Sequence, residues 1–364
     1  MKLLYDYDIF HRQNYGGISK YHAELLAGLK KNNDVKIHFP LLYNENRHLN
    51  LNRKSRIEKI NKLSGKRITK TIARINQFLL NRELIKDDFD IYIPTYYNTE
   101  FLKLIHGKPF VLTVLDMIHE LYPAYFTRDK TTVKNKYTLM VAATRIVTIS
   151  HNTKNDIIKL YPDIDPEKID VVHLGYSKES TIPKQVKVPD NYILFVGQRS
   201  DYKNFAFFFE SAKEVLLKFQ ELFLVCTGPP FSSDEKRVFI SCGLEKRVVH
   251  ITPDDMELAY LYQEARCFIF PSLYEGFGIP LIEAMANGCP IITSKSGSLP
   301  EVAGDAAIYF ETGIQHSLTT ALYNVLNDNN LRGDLILKGG ERSKLFTWKN
   351  TVSAFYNTLK KINL

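Results

Sequence analysis

The sequence predicts an α/β protein built from two parallel sheets. Short runs of β-branched and aromatic residues alternate with longer segments of helical periodicity throughout the chain, a pattern typical of parallel sheets with helices on both faces. The chain has 364 residues, of which 45% are hydrophobic and 24% are charged. This length and this ordinary globular composition favour two domains of about 100–200 residues each.

Two series of strands follow from the alternation. The first is predicted at Lys2–Asp8, Val35–Leu41, Asp90–Pro94, Phe110–Leu115, Arg145–Ile149 and Ile169–His173. The second is predicted at Tyr192–Gly197, Leu222–Thr227, Val248–Thr252, Cys267–Pro271, Pro290–Thr293 and Ala307–Phe310. Most strands precede a helical stretch, so each series predicts one Rossmann-like sheet that binds ligands at the carboxyl ends of its strands. Two such domains facing each other would form an interdomain cleft.

A segment poor in apolar residues separates the two series. Residues Ser177–Asp190 contain Pro183, Pro189 and several lysines, a composition typical of an interdomain linker. We therefore expect an N-terminal domain over residues 1–182 and a C-terminal domain over residues 183–345. The amphipathic segment 346–364 is expected to form a final helix of either domain, with packing back on the N-terminal one as an option.

Positive charge is concentrated in one stretch of the N-terminal half. Of the formal net charge of +8, residues Arg47–Lys86 carry about +10, with twelve lysines and arginines against Glu58 and Glu83. Apolar residues recur there at helical spacing, which predicts amphipathic helices with a basic face. Such a face fits solvent, or anionic lipid or a lipid-linked, negatively charged substrate. Nucleic acid is not expected, because no RNA-binding or zinc-finger motif accompanies the charge.

Composition also predicts the location. No stretch approaches the roughly 18–20 consecutive apolar residues that a membrane span needs, and acids interrupt the apolar start MKLLYDYDIF. We therefore expect a cytoplasmic protein, with peripheral binding at the inner face of the cytoplasmic membrane as an option. The cysteines are too widely spaced for a CxxC pair and are expected to be reduced core residues: Cys226, Cys242, Cys267 and Cys289.

The segment Pro271–Gly288 carries the strongest functional signal. Its sequence, PSLYEGFGIPLIEAMANG, predicts the end of a strand, a glycine-bearing loop and a helix with proline near its first turn. Gly276 and Gly278 let the backbone approach a ligand, and the helix N-terminus offers N–H groups that suit a diphosphate. Glu275 and Glu283, with seven residues between them, can border one pocket in which a carboxylate accepts hydrogen bonds from vicinal hydroxyls.

This segment resembles the E-x7-E signature of glycosyltransferase family 4, whose members are retaining, sugar-nucleotide-dependent enzymes of GT-B fold. Other landmarks of the family occur in order along essentially the whole chain. The resemblance implies that Glu283 binds the nucleotide ribose and that Glu275 contacts the donor sugar, so Glu275 is a candidate catalytic residue. It assigns the donor diphosphate to the backbone around the loop and helix start: Gly276, Phe277, Gly278, Ile279 and Leu281.

A second landmark, Leu194–Asn204, resembles the VG-x-R-x3-KN segment of the family. A buried strand ends in glycine there and releases Arg199 and Lys203 into the following loop. The diphosphate of a sugar nucleotide gains negative charge as it leaves, and two cations can neutralise that charge through charge-assisted hydrogen bonds. Arg199 and Lys203 are therefore candidate catalytic and donor-binding residues.

Two weaker landmarks lie in the N-terminal half. Gly16 and Gly17 belong to a GGI-[ST]-[RK]-Y loop, which by resemblance approaches the donor diphosphate. The segment from Val111 to Pro123 resembles TVHD-x2-x-E-x-x-P, so Asp116 is a candidate catalytic carboxylate. The usual histidine, which in relatives faces the donor sugar, is Leu115 here, and His119 is a weaker substitute for it.

No metal site is predicted. Asp6-Tyr-Asp8 has the D-x-D spacing that binds Mg²⁺ or Mn²⁺ in glycosyltransferases of another fold, but it follows the first strand and lacks that context. Arg199, Lys203 and the helix N-terminus already supply positive charge.

The predicted activity is metal-independent transfer of a hexose, with retention, from a nucleoside diphosphate sugar to a saccharide or lipid-linked saccharide. No cofactor is expected apart from the sugar nucleotide, with GDP-mannose favoured and a UDP-sugar as an option. The resemblance points to bacterial mannosyltransferases of O-antigen, capsule or lipopolysaccharide synthesis. The alternatives are another GT-B enzyme, such as a sugar-nucleotide epimerase, and a non-enzymatic two-domain sugar-binding protein. The sequence makes no prediction about oligomeric state.

Overall fold

The computed structural model describes residues 1–42, 45–49, 66–127, 129–177, 185–199 and 201–364. They divide into two compact units. The N-terminal unit comprises Met1–Ile149, Thr153–Gly175 and Trp348–Leu364, and the C-terminal unit comprises Ser150–Asn152 and Tyr176–Thr347. The predicted boundary at residues 182–183 and the central part of the basic stretch lie outside the described residues.

The strands of the N-terminal unit confirm the first predicted series. They are β1 (Lys2–Tyr5), β2 (Lys36–His38), β3 (Ile91–Ile93), β4 (Val111–Val114), β5 (Arg145–Thr148) and β6 (Ile169–Val171). All pairings are parallel, in the orders β2-β1-β3 and β4-β5-β6.

The expected single N-terminal sheet is thus two three-stranded ladders, and among the described residues a bridge between Tyr92 and Phe110 joins them. Tyr92 N donates to Pro109 O at 3.0 Å. Because proline has no N–H to return, the ladder does not extend further on that side.

The helices of the N-terminal unit follow its strands. They are α1 (Asp8–Arg12), α2 (Gly17–Leu29), α3 (Lys66–Lys86), α4 (Ile118–Leu121), α5 (Lys130–Ala142) and α6 (His151–Leu160), with 3₁₀ turns at Glu100–Lys103, Pro123–Tyr125 and Pro166–Lys168. The first two residues of α6 fall in the C-terminal unit.

The C-terminal unit contains one sheet that confirms the second predicted series. Its strands are β7 (Tyr192–Phe195), β8 (Phe223–Cys226), β9 (Val248–His250), β10 (Cys267–Phe270), β11 (Ile291–Ser294) and β12 (Ala307–Phe310). The described strands run parallel in the order β12-β11-β10-β7-β8-β9. The predicted α/β class is therefore confirmed.

The helices of the C-terminal unit, with a 3₁₀ turn at Asp201–Lys203, alternate with these strands. They are α7 (Phe205–Lys218), α8 (Ser233–Ser241), α9 (Asp255–Glu264), α10 (Ile279–Ala286), α11 (Leu299–Ala303), α12 (Gln315–Asn327) and α13 (Asn329–Ser343). Helices α7 and α12 pack on the sheet through a buried core. Its aromatic centre includes Phe195, Phe205 and Phe208, whose ring centroids lie 4.9–5.8 Å apart, and burial of each ring contributes about 1.5–3 kcal/mol.

The last helix, α14 (Trp348–Lys360), packs on α2 within the N-terminal unit. A Cβ on Gly28 would lie 2.3 Å from Val352 Cγ2, and Thr351 Oγ1 donates to His173 O at 2.9 Å. The small residue in α2 therefore lets the two helices approach closely.

None of the described helices combines the length and the apolar composition that a membrane-spanning helix requires. All four cysteines are free, and three of them are buried as expected, whereas Cys242 is only half-buried.

Candidate active site

The sheet order of the C-terminal unit determines where its loops can bind a ligand. From β7 the chain proceeds to β8 and β9 on one side, and then crosses to β10, β11 and β12 on the other. The loops after β7 and β10 therefore leave adjacent strands in opposite directions. Parallel sheets bind ligands in the crevice at such a switch point.

Hydrogen bonds join the described residues of these two loops. Leu273 N donates to Tyr202 O at 2.8 Å, and Asn204 Nδ2 donates to Pro271 O at 3.2 Å. Lys203 Nζ lies 2.6 Å from Glu275 Oε1. The structure thus brings together Lys203 and Glu275, two candidate residues that lie 72 positions apart in the sequence.

The ammonium group of Lys203 is positioned by aromatic rings as well as by its carboxylate partner. Its Nζ lies 5.1 Å from the ring centroid of Tyr202 and 5.5 Å from that of Phe270. Both members of the ion pair are partly accessible to solvent. A phosphate oxygen that binds Lys203 would therefore sit beside the carboxylate of Glu275.

Arg199 binds other parts of its own unit. Its guanidinium donates to Glu235 Oε1 at 2.7 Å and to Thr227 O at 3.1 Å, and it lies 4.7 Å from the ring centroid of Phe231. Further donations reach the carbonyls of Pro229 and Pro230. The Arg199 side chain is only 4% exposed, and its hydrogen bonds stabilise the loop after β8. Its predicted contact with the diphosphate stays a prediction.

The positive charge of Arg199 affects the pKa of Glu235. Partial burial acts to raise the pKa of Glu235, but hydrogen bonds and charge from Arg199, with hydrogen bonds from Ser232, outweigh that effect and lower it. Glu235 also completes a capping box with Ser232 at the start of α8. This segment is therefore fixed by structural contacts.

The loop between β10 and α10 presents backbone N–H groups. Gly278 precedes the helix with φ +102°, a conformation that favours glycine, and Leu281 N donates to Gly278 O. Among the described residues, none accepts a hydrogen bond from the N–H of Gly276, Gly278 or Ile279. These groups lie at the positive end of the α10 dipole and suit an anion. The Phe277 side chain is buried against Phe346, with ring centroids 5.6 Å apart.

Glu283 lies on α10 and receives a hydrogen bond from a residue that the sequence analysis missed. Tyr262 on α9 is fully buried, and its hydroxyl donates to Glu283 Oε2 at 3.3 Å. Burial, reinforced by the negative charge of Glu283, raises the pKa of Tyr262 well above its usual value. The phenol therefore stays protonated and available to hold the carboxylate.

A second missed residue is Ser298, whose sequence signal predicts a different role. Ser298-Leu-Pro-Glu301 spells a capping box for α11, but the Ser298 side chain makes no cap hydrogen bond. Its buried hydroxyl instead contacts the carbonyls of Phe277 and Glu275, at 2.8 and 3.0 Å.

In the N-terminal unit, Gly16 and Gly17 lie at the start of α2. Gln13 Oε1 accepts from Ser19 N at 3.1 Å, and a Cβ on Gly16 would lie 2.5 Å from that oxygen. Glycine therefore leaves room for a side chain that caps the helix. Within the described part of the chain, the N–H groups of Gly17 and Ile18 have no acceptor.

Asp116 follows β4, and its backbone carbonyl contacts the buried ion pair of Lys136 and Glu120. Its Oδ1 accepts from Ile118 N at 3.1 Å. Lys136 Nζ donates to Asp116 O at 3.0 Å and to Glu120 Oε2 at 2.9 Å. The backbone at Asp116 is thus fixed by the fully buried Lys136, another residue that the sequence analysis missed.

Leu115, at the position of the family histidine, and His119, its candidate substitute, both contact other protein side chains. Leu115 is buried. His119 stacks on Phe126, with ring centroids 4.3 Å apart, and its Nε2 lies 3.7 Å from Asp129 Oδ2.

The D-x-D carboxylates bind protein groups. Asp6 is buried and accepts hydrogen bonds from the N–H groups of Tyr7, Asp8 and Thr95 and from Thr95 Oγ1. Burial raises the pKa of Asp6 to about 6. Asp8 Oδ2 accepts from Arg12 Nε at 2.9 Å. The two carboxylates therefore serve different internal contacts.

Two family models match the chain in succession. The model described as Glycosyltransferase Family 4 matches residues 15–179, and the model described as Glycosyl transferases group 1 matches residues 177–342.

Two curated proteins and a solved structure are similar to this chain. The O-antigen chain mannosyltransferase RfbU of Salmonella typhimurium is 29% identical over 60% of the chain, and the match spans 63% of its own length. The O-antigen chain mannosyltransferase B of Escherichia coli is 26% identical over 75% of each protein. Anabaena HepE, solved with UDP and glucose, has a TM-score of 0.70 at 14% identity and matches all of both chains. This likeness shows the fold, which is GT-B.

Proposed function

Because this chain belongs to the glycosyltransferases, with a family 4 domain followed by a group 1 domain, we propose that it transfers a hexose from a nucleoside diphosphate sugar. The acceptor is the hydroxyl of a saccharide or lipid-linked saccharide. The observation that carries the proposal is the 2.6 Å pair of Lys203 and Glu275 at the β7/β10 switch point, beside the N–H groups of Gly276, Gly278 and Ile279.

The proposed donor site uses each of these groups for one part of the sugar nucleotide. The N–H groups and Lys203 bind the diphosphate, because both carry positive charge where the leaving group becomes more negative. Glu283, held by Tyr262, binds the ribose hydroxyls, and Glu275 contacts the sugar. Arg199 supports the site by fixing the loop after β8.

We propose that the transfer retains the anomeric configuration and needs neither a metal ion nor a cofactor. In this scheme the leaving diphosphate and the incoming hydroxyl share one face of an oxocarbenium-like centre. A leaving phosphate oxygen accepts the proton of the acceptor, so no nucleophile of the enzyme is required. Lys203 and the N–H groups supply the neutralising charge. Asp116, Gly16 and Gly17 stay candidate contributors from the N-terminal unit.

The relatives favour mannose as the transferred sugar and O-antigen synthesis as the process. Both curated relatives are O-antigen chain mannosyltransferases, so GDP-mannose is our preferred donor. The HepE structure contains UDP and glucose, and a UDP-sugar is therefore the second donor to test.

The experiment incubates the protein with GDP-mannose, UDP-glucose or UDP-galactose and a lipid-linked saccharide extract. Release of GDP or UDP is followed, and the product linkage is analysed by NMR. We expect GDP release from GDP-mannose, an α-linked product and no effect of EDTA. An isomerised sugar nucleotide without transfer would indicate an epimerase instead, and a β-linked product would contradict retention.

Helix α3 supports the further proposal that the protein binds an anionic membrane surface at the inner face of the cytoplasmic membrane. Leu80 and Leu84 on α3 are buried, whereas Ile75, Phe78 and Ile85 are exposed, Phe78 by 65%. Basic residues, among them Arg74 and Arg82, share the exposed side. Exposed apolar side chains beside cations are typical of interfacial helices.

Flotation with liposomes tests this surface. Binding should increase with phosphatidylglycerol content and decrease with salt, and Phe78→Glu should weaken it. Leu337→Glu is the matched control, because Leu337 is also highly exposed but lies in the C-terminal unit on α13. Flotation that is independent of lipid charge, or equally weakened by both variants, would contradict the proposal.

A further inference from the structure

A three-residue segment, Gly297–Leu299, packs against the loop that carries Gly276 and Gly278. We call this segment the brace. The brace follows β11, the strand next to β10 in the sheet. Gly297 and Ser298 lie against Glu275, Ser298 also contacts Phe277, and Leu299 lies against Gly278. The brace belongs to none of the motifs that the sequence analysis singled out.

Gly297 and Leu299 fix the distance between the brace and the loop. Gly297 has φ +56°, and a Cβ there would lie 2.9 Å from Glu275 O and 3.0 Å from Glu275 N. Leu299 is fully buried, and its Cδ2 lies 2.9 Å from the position of a Cβ on Gly278. A side chain on Gly297 would meet the backbone of Glu275 and force the two segments apart, whereas one on Gly278 would meet the end of the Leu299 side chain.

Ser298 fixes the orientation of the peptide groups. Its fully buried hydroxyl donates to Phe277 O at 2.8 Å and to Glu275 O at 3.0 Å, and Ser298 N contacts Glu275 O at 3.4 Å. One hydroxyl proton is shared between two carbonyls, so both carbonyl oxygens must face the brace. The absence of a cap bond on α11 is the consequence of this use of the hydroxyl.

The orientation of these carbonyls determines where the N–H groups point. In a trans peptide, the N–H of one residue points away from the carbonyl of the preceding residue. Because the carbonyls of Glu275 and Phe277 face Ser298, the N–H groups of Gly276 and Gly278 face the opposite side. The N–H of Ile279 follows directly at the start of α10, and Glu275, at the beginning of the same loop, pairs with Lys203.

We propose that Ser298 is a positioning residue for the donor diphosphate: its hydroxyl turns two carbonyls away, so that the N–H groups of Gly276 and Gly278 are aimed at phosphate oxygens. This inference rests on the proposed function, because it assigns the anion at this loop to a nucleoside diphosphate. Without the hydroxyl, either peptide group can rotate and present a carbonyl oxygen, which repels phosphate.

The test compares ligands that differ only in the diphosphate. Affinities for GDP and guanosine, and for UDP and uridine, are measured by calorimetry on the full-length protein and on Ser298→Ala. We expect Ser298→Ala to weaken binding of the preferred nucleoside diphosphate about tenfold or more and to leave nucleoside binding unchanged. Ser298→Thr, which keeps the hydroxyl, should restore diphosphate binding.

Ser294→Ala is the matched control. Ser294 is also a fully buried serine, and its hydroxyl donates to Ser272 O at 2.6 Å, earlier in the same loop. It should reproduce any general effect of an unsatisfied carbonyl on the melting temperature without a selective loss of diphosphate affinity.

The outcomes separate this inference from the proposed function. If the wild type binds GDP or UDP and Ser298→Ala binds it equally well, the positioning role is wrong and the proposed function stands. If Ser298→Ala weakens nucleoside and diphosphate equally, or if Ser294→Ala has the same selective effect, the positioning role is also wrong. If the wild type binds neither diphosphate, both proposals are wrong.

Discussion

Two lysine–glutamate pairs, one in each unit, show how burial separates a structural ion pair from one that can meet a ligand. In the N-terminal unit, Lys136 Nζ lies 2.9 Å from Glu120 Oε2, with side chains 0% and 4% exposed. In the C-terminal unit, Lys203 and Glu275 lie 2.6 Å apart, with side chains 21% and 14% exposed. The first pair is sealed in the protein, whereas solvent and small ions can reach the second.

The surroundings of the two pairs reinforce this difference. Lys136 Nζ also donates a hydrogen bond to the carbonyl of Asp116. Its N–H groups therefore bind groups within the protein. Lys203 lies at a switch point between strands, beside N–H groups for which the described residues supply no acceptor. We therefore expect the loss of Lys203 to lower stability less than the loss of Lys136, which would leave a buried charge without its partner.

The largest expected effect is on stability, at the N-terminal pair. Lys136→Met leaves the carboxylate of Glu120 buried without its counter-charge, which should lower the free energy of unfolding by about 3–5 kcal/mol. Urea denaturation measures it. The double variant Lys136→Met/Glu120→Leu should recover most of the loss, because no buried charge remains. A loss below about 1 kcal/mol in the single variant would show that Glu120 does not depend on Lys136 for its charge balance.

The opposite pattern is expected at the C-terminal pair. Lys203→Met should lower kcat/KM for sugar transfer by about 100-fold, because charge on the leaving diphosphate is no longer neutralised. The free energy of unfolding should change by less than about 1 kcal/mol, as for other solvent-accessible pairs. Steady-state kinetics and urea denaturation of the same preparation check both values. Full activity in a folded Lys203→Met would remove Lys203 from the site.

The buried carboxylate of Asp6 should make the free energy of unfolding depend on pH, unlike an accessible carboxylate with an ordinary pKa. Burial raises the pKa of Asp6 to about 6, so the folded state binds this proton more tightly than the unfolded state does. Its contribution to stability is therefore present at low pH and is lost as pH rises from about 4 to 6, by roughly 2–3 kcal/mol.

Asp6→Asn removes this titration. Subtracting its unfolding free energy from that of the wild type at each pH isolates the contribution of Asp6, since other groups titrate in both proteins. His22 is such a group: burial lowers its pKa to about 3, which works in the opposite direction below pH 6.5. A difference that is flat between pH 4 and 6 would show that Asp6 titrates normally.

The smallest expected effect concerns Tyr262. Tyr262→Phe removes one hydrogen bond of 3.3 Å to Glu283, which should weaken donor binding about three- to tenfold, in line with about 0.5–1.5 kcal/mol for a typical hydrogen bond. The effect should appear in KM for the donor and leave kcat nearly unchanged. An unchanged KM would indicate that Glu283 is oriented by other contacts.

Most of the fold could be predicted, because each strand and helix has a local sequence pattern and their alternation predicts parallel sheets. Strand ends were less accurate where side chains intervene. The first strand was predicted to continue to Asp8 but ends at Tyr5, because the carboxylate of Asp6 accepts the N–H groups of Tyr7 and Asp8 and turns the chain into α1.

The candidate site was predictable only in part. Lys203 and Glu275 could be placed together because each follows a strand at the switch point. The contacts of Arg199, Tyr262 and Ser298 depend on partners more than 20 positions away, and the sequence gives no direction for a side chain in a loop. Ser298 stands in a local pattern typical of a helix cap, but its hydroxyl contacts the loop instead.

We propose that the loops after β7 and β10 bind a nucleoside diphosphate. The most direct measurement is thermal unfolding with GDP, UDP, ADP and dTDP, each with and without EDTA, for the wild type and Glu283→Ala. We predict that one nucleotide, with GDP preferred, raises the wild-type melting temperature by several degrees at about 100 times its Kd. EDTA should not change this shift, and Glu283→Ala should reduce it. No shift with any of the four at millimolar concentration, or an undiminished shift in Glu283→Ala, would contradict the account.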